Sequence, residues 1–148
     1  MTATFSFRTT ASSAASPHAL FEKIADGGNW ARWLKPLVAH SEWETEGDPA
    51  PGGVGAVRKV GTWPIFVRER VLEHEPDRKH VYTLVGRTPA RDYRAEVTLV
   101  PRADGGTELE WRGRFTERVP GTGLVVRFVL YRAVRLVCAR LVRAAEGY

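Results

Sequence analysis

The chain has 148 residues, 43% hydrophobic and 26% charged, with a formal net charge of +5 and a pI near 9.8. That length suits one domain, residues 1–148, with a single substantial core, and that composition is of a globular chain rather than a disordered or membrane-spanning one. Arginine far outnumbers lysine, so anionic partners come into view, but the basic residues lack the aromatic interleaving of a nucleic-acid motif, and no nucleic-acid partner is expected.

The first segment, TATFSFRTT, alternates Ala3, Phe5 and Phe7 with polar neighbours and predicts a half-buried strand. Ser16 before Pro17 is a helix start, with serine as N-cap and proline at the first helical position. PHALFEKIA then puts Leu20, Phe21 and Ile24 on one face. DGGNWARWL predicts a second short helix capped by Asp26 or Asn29, with Trp30, Trp33 and Leu34 turned inward. PLVAHSEWETEG reads as a strand and GDPAPGGVG as a connection too short to divide domains. From AVRKV onward the chain predicts an antiparallel meander, with EPDRKH and PRADGGT as hairpin turns. GTWP and GRTPARD are expected as longer mobile loops at one end of the sheet. After Gly121 the period changes to that of one long helix. At about 100° per residue, Val126, Leu130, Val134, Val137, Cys138 and Leu141 share its inner face, while Arg132, Arg135, Arg140 and Arg143 gather opposite. Arg127 falls among the inner residues.

Alternation puts Ile65, Val67, Glu69 and Val71 on one side of a strand, Tyr93, Ala95, Val97 and Leu99 on one side of another, and Leu109, Trp111, Gly113 and Phe115 on one side of the last. Each apolar set is expected to be the inner one, and Glu69 intrudes into it. A buried carboxylate needs a partner, water or a proton. Arg127 and the Tyr93 hydroxyl are its candidate partners, and Glu69 can instead sit near a strand end, bonded to a loop amide or water; Arg58, which can face either way, is a separate candidate ligand group. A curved sheet facing one stiff helix leaves a gap at the end where their apolar faces diverge, and such a gap is a ligand pocket. Its expected lining is Val67, Glu69, Val71, Tyr93, Ala95 and Trp111 from the strands, with Arg127, Tyr131, Val134 and Cys138 from the helix. Core filling by Tyr93 and Trp111, and an Arg127 that snorkels to solvent, are the structural alternatives.

Cys138 is the single cysteine, so no intrachain disulfide forms, and no Cys/His cluster has zinc-site spacing. The start of the chain lacks a basic segment followed by an apolar one, and no apolar run is long enough to span a bilayer. A cytoplasmic protein with no metal, no cofactor and no stable membrane insertion is expected. G-x-S-x-G elbows and phosphate-cradling glycine loops are absent from the sequence. His18, His40, His74 and His80 fall on positions read as helix or turn and are expected to be exposed.

The order of FEKIADGGNWARWLKP, GGVGAVRKV, VLEHEPDRKHVYTLVG, RDYRAEVTLVP, GGTELEWRGRF and the helix after VPGTG resembles the START-like, or helix-grip, superfamily (SRPBCC), in particular its bacterial polyketide cyclase/dehydrase-like branch. The resemblance covers nearly the whole chain and implies an α+β helix-grip fold. In that fold a curved antiparallel sheet wraps around a long C-terminal helix, and two short helices follow the first strand. It also implies an internal cavity for a small hydrophobic or amphipathic molecule such as a lipid, isoprenoid, sterol or polyketide. The middle of the chain is similar to the plant abscisic-acid receptors. That likeness makes Gly61, Trp63 and Pro64 the counterpart of a gate and Thr88 and Pro89 that of a latch, with Glu69 and Tyr93 lining the pocket.

Three functions follow. A carrier or sensor needs only an apolar cavity, one or two polar anchors and loops that open. A cyclase or dehydrase needs a base, for which Glu69 is the candidate, and an acid or oxyanion donor, for which Tyr93 or Arg127 would serve. A protein-interaction module would have its cavity filled by bulky side chains, with Phe66, Phe115, Phe128 and Tyr131 available.

Overall fold

The computed structural model describes residues 3–147. Among them seven strands form one antiparallel sheet: β1 (Thr4–Ser13), β2 (His40–Thr45), β3 (Val57–Thr62), β4 (Ile65–Glu75), β5 (Lys79–Val85), β6 (Ala90–Pro101) and β7 (Thr107–Glu117). The spatial order is β1-β7-β6-β5-β4-β3-β2, so the meander from β2 to β7 is closed by β1, which pairs with the last strand. The helices are α1 (Pro17–Ala25), a 3-10 turn (Gly27–Asn29), α2 (Ala31–Leu34) and the long α3 (Gly123–Ala145). This is the helix-grip arrangement, with α3 lying along β1 and β7 and touching α1 and α2.

Local chemistry places these helices. Ser16 caps α1 by accepting from the Ala19 N–H at 3.2 Å, as the Ser-Pro pair predicts. Neither Asp26 nor Asn29 caps the next helix. The Asp26 carboxylate is taken by the Asn29 side-chain amide (2.8 and 3.0 Å), and the first N–H of α2, that of Ala31, donates to Ser41 Oγ at 3.0 Å. Carboxylates tie both ends of α3 to β1. Glu117 accepts from the N–H groups of Gly123 (2.9 Å), Gly121 (3.1 Å) and Ala3 (3.1 Å), setting negative charge at the positive end of the helix dipole. Glu146, just past the other end, accepts from Ser13 Oγ (2.6 Å) and the Ala14 N–H (3.2 Å). Gly123 is buried against Phe5, whose ring occupies the space a methyl group there would need. Inward from these anchors Val134, Val137, Cys138 and Leu141 are buried, and Val126 and Leu130 pack on the core more loosely.

Two features differ from the sequence reading. GTWP is not an open loop: Thr62 pairs with Ile65, so Trp63 and Pro64 are the two-residue tip of a tight β3–β4 hairpin. And two bulges shift the alternation. One at Leu72 turns His74 inward and leaves Glu73 on the outer face, where it meets Arg94 (2.6 Å) and Lys79 (2.9 Å). The other lies between Arg91 and Arg94, with Asp92 at φ 54°, and aims Tyr93 into the interior.

Candidate functional site

Across the concave face of the sheet, polar side chains from β3 through β7 meet inside the hydrophobic core. Arg58 and Glu69 are direct cross-strand partners in the β3–β4 hairpin, and they are 1% and 7% exposed. Arg58 Nε donates to Glu69 Oε1 at 2.8 Å, and its Nη1 donates to the Ile24 carbonyl at 2.9 Å. Nη2 also lies 2.8 Å from Oε1, but without hydrogen-bond alignment. The guanidinium stacks on Trp30, 3.8 Å from the ring centroid, and Trp30 Nε1 donates to the same Ile24 carbonyl at 3.1 Å. Ile24 is in the last turn of α1, so a cation meets the negative end of that helix. Gly27 closes the loop over this arrangement, since a side chain there would collide with Arg58 Cδ at 2.7 Å and Trp43 at 2.9 Å.

Next to the ion pair lie Tyr82 and Tyr93, with ring centroids 5.9 Å apart. Burial first, and then the neighbouring phenol and Glu69, hold the Tyr82 hydroxyl well above the usual phenol range; burial does the same to Tyr93. Both are therefore neutral at physiological pH. His80 lies 5.9 Å from the Tyr82 ring. Burial, and after it the positive Arg58 and His74, push its pKa well below the ordinary value, so it too is neutral. Trp111 meets the Tyr82 ring edge-on at 6.2 Å. The interior thus combines a neutralised ion pair with phenols, an imidazole and an indole. Among the described residues, Arg58 Nη2, both ring nitrogens of His80, His74 Nδ1 and Trp111 Nε1 are buried without a hydrogen-bond partner.

The expected site residues separate into two groups. Glu69, Val71, Tyr93, Ala95, Trp111, Val134 and Cys138 are buried in the interior, where burial raises the Cys138 thiol to about 12. Tyr131 is half-buried, and Val67, though inward in phase, lies beyond the covered part of β4. Arg127 does not reach Glu69: it is exposed, in a groove of about 460 Å³ between β1 and the start of α3. The partner of Glu69 is Arg58. Pairing outward from the Trp63–Pro64 tip leads to it directly, and reading that tip as an open loop hid the register. His80, expected in a turn, is instead an inward residue of β5, because β5 begins at Lys79. Of the aromatics considered as cavity fillers only Phe115 is in the core; Phe128 is exposed, and Tyr82, missed by the sequence reading, fills the centre. Gly61, Trp63 and Pro64 stand at the same end of the sheet as Thr88 and Pro89. The latter loop is held to the β7–α3 connection by Arg118, which donates to the Thr88 carbonyl at 2.6 Å and the Pro89 carbonyl at 3.2 Å. Among the described residues no cluster of three or more His, Cys, Asp or Glu could hold a metal ion.

Residues 4–146 match the family described as "Polyketide cyclase / dehydrase and lipid transport". The chain belongs to this family. Uncharacterized protein Rv2574 of Mycobacterium tuberculosis is 28% identical to this family member, with 99% of the chain and 86% of the relative covered. Among solved structures, a START superfamily protein from Mycobacterium smegmatis aligns with a TM-score of 0.79 at 12% identity, covering 95% of this chain and 97% of that one. Norcoclaurine synthase from Thalictrum flavum, a point mutant in complex with a transition-state analogue, aligns with a TM-score of 0.77 at 14% identity, covering 99% and 96%. Ara h 8.0201 aligns at 0.75 with 21% identity, covering 99% and 100%. At such identities these structures share the fold.

Proposed function

We propose that this protein binds a small hydrophobic or amphipathic molecule, lipid-, isoprenoid- or polyketide-like, between the concave face of the sheet and α3, as a carrier or sensor. One observation carries the reading: buried, unpartnered hydrogen-bonding atoms of Arg58, His80 and Trp111 surround Tyr82 in an otherwise apolar core. Leaving such groups unsatisfied is costly, and a polar atom of a bound molecule would partner them. The family description, which spans polyketide chemistry and lipid transport, supports the same class of molecule. Val67, Tyr131 and Leu130 would meet the apolar body, and the Trp63–Pro64 hairpin and Thr88–Pro89 loop would flank its path. A cyclase or dehydrase that uses Glu69 as general base ranks behind, because the Glu69 carboxylate is already tied to Arg58 through Oε1. The test is native mass spectrometry of protein from its own host, followed by titration with a fatty alcohol, a sterol and an aromatic polyketide. A stoichiometric adduct that weakens in Trp111→Phe and His80→Leu is expected. Saturable binding untouched by both changes, or no binding across the panel, overturns the proposal.

A further inference from the structure

The large apolar side chains left exposed are unevenly distributed. Register places the β3–β4 hairpin tip, the loop from Gly86 to Pro89 and the start of α3 at one end of the sheet, because β4 begins, β5 ends and β7 ends there. At that end Trp63 is 82% exposed, Ile65 75%, Val125 67% and Phe128 61%, with Leu124 beside them. A packed core loses nothing by having polar residues at these positions, so they invite a partner. Their surroundings are basic. From Gly123 to Ala145 the helix holds five arginines and no acidic residue. Three of these arginines contact neutral groups: Arg132 lies over the Phe128 ring at 5.8 Å, and Arg135 and Arg140 reach the Tyr131 hydroxyl (3.5 Å) and the Lys35 carbonyl (3.0 Å). Arg87 and Arg118 belong to the loops of the same end.

We infer that this end docks on an anionic phospholipid bilayer, with Trp63, Ile65, Val125 and Phe128 entering the interfacial region and the arginines facing lipid phosphates. Apolar residues flanked by arginine on the outer side of a helix have the composition of an interfacial helix. Several short protrusions suit a fluid surface, which needs no matching shape. Pairing with a second copy through this end would bring the arginines of both chains together, a repulsion that an anionic surface replaces with attraction. Among the described residues no helix is long and apolar enough to cross a membrane, so the contact is peripheral. The inference stands apart from ligand binding and is tested without any ligand.

Trp63 is far more exposed than Trp30 or Trp111, and Trp33 and Trp43 are partly buried, so its emission reports on the docking end. Vesicles of phosphatidylcholine containing about one-third phosphatidylglycerol should blue-shift the emission and sediment the protein, with about ten-fold weaker partitioning into phosphatidylcholine alone or in high salt. Brominated lipid should quench the shifted emission, and Trp63→Phe should abolish that signal while sedimentation persists. Val125→Ser with Phe128→Ser should reduce partitioning at least ten-fold. Should that pair fail to fold by circular dichroism, Arg127→Glu with Arg132→Glu serves in its place, with the same loss expected. Equal sedimentation with neutral and anionic vesicles, binding unmoved by these variants, or a dimer in light scattering that the same variants dissolve overturns the inference.

Discussion

Replacing Glu69 with leucine leaves the guanidinium of Arg58, 1% exposed, without its counter-charge in the core. Removing one partner of a buried pair costs about 3–5 kcal/mol, whereas replacing both with apolar groups of similar volume is often neutral or stabilising. The asymmetry is marked here because, among the described residues, Arg58 has one other acceptor, the Ile24 carbonyl, and that carbonyl keeps the Trp30 indole as donor when Arg58 is removed. Against a total stability of about 5–15 kcal/mol, Glu69→Leu alone should take about a fifth of the margin or more. It should lower the melting temperature by about 6–20 °C, at about 2–4 °C per kcal/mol for a chain of this size. The double variant Arg58→Met with Glu69→Leu should recover most of that loss. Urea unfolding of the four proteins of this cycle measures the coupling, with unchanged m-values as the check that the native state is intact. A single Glu69→Leu cost below about 1 kcal/mol, or a double variant as unstable as the two singles added, would show that the ion pair does not hold this part of the core as described.

Two further outcomes follow from the buried titratable groups. His80 is held neutral below its ordinary value, so as pH falls below 6.5 the unfolded chain takes up a proton that the folded chain refuses. The stabilisation from neutral His80 is therefore complete above that value and lost on acidification, by up to about 1.4 kcal/mol per pH unit. His74, lowered by burial, has the same sign, and the exposed His18, raised by its hydrogen bond to Asp77, has the opposite one. Thermal melts between about pH 7 and about pH 5 should slope less steeply for His80→Leu than for the parent, and parallel slopes would refute the assignment. Cys138, buried with its thiol raised to about 12, should resist Ellman's reagent at about pH 8 in the native state and react fully in denaturant; rapid native labelling would mean that α3 opens far more readily than its packing implies.

The amphipathic period of α3, the Ser16–Pro17 helix start and the inward sets of β6 and β7 were legible because each is local: a face or a cap is written within a few residues. Glu69 was legible as an anomaly for the same reason. Its partner was not, since pairing Arg58 with Glu69 needs the register of the β3–β4 hairpin, and that register depends on Trp63–Pro64 being a two-residue tip. The buried histidine was hidden by element boundaries. A strict alternation from Glu69 puts Glu73 inside, and the bulge at Leu72 replaces it with His74, which in turn pairs with His80. Arg127 obeys its helical phase but sits where α3 has left the cover of the core, so phase alone misplaced it. Likewise periodicity marks the outer face of α3 as an arginine face but does not reveal the exposed Val125, and it leaves Phe128 as a candidate cavity filler although it is exposed, because periodicity says which residues turn away from the core, not whether the core needs the remainder.

The charge state of the interior bears on what the proposed ligand can be. Arg58 is engaged by Glu69 and by the Ile24 carbonyl, while Tyr82, Tyr93 and His80 are neutral at physiological pH. The cluster as a whole therefore has no net charge to offer. A ligand carboxylate entering beside it would have to lose its hydration, lie near the Glu69 carboxylate and compete with it for one guanidinium, each of which opposes binding. A ketone or alcohol oxygen has none of these costs, and it can accept from the Trp111 indole N–H, which has no partner among the described residues. The same ion pair that ties Glu69 to Arg58 thus selects neutral oxygenated molecules over fatty acids. When a fatty acid of equal chain length is added to the titration panel, the fatty alcohol should outcompete it, a preference that apolar burial alone, which the two share, would not produce.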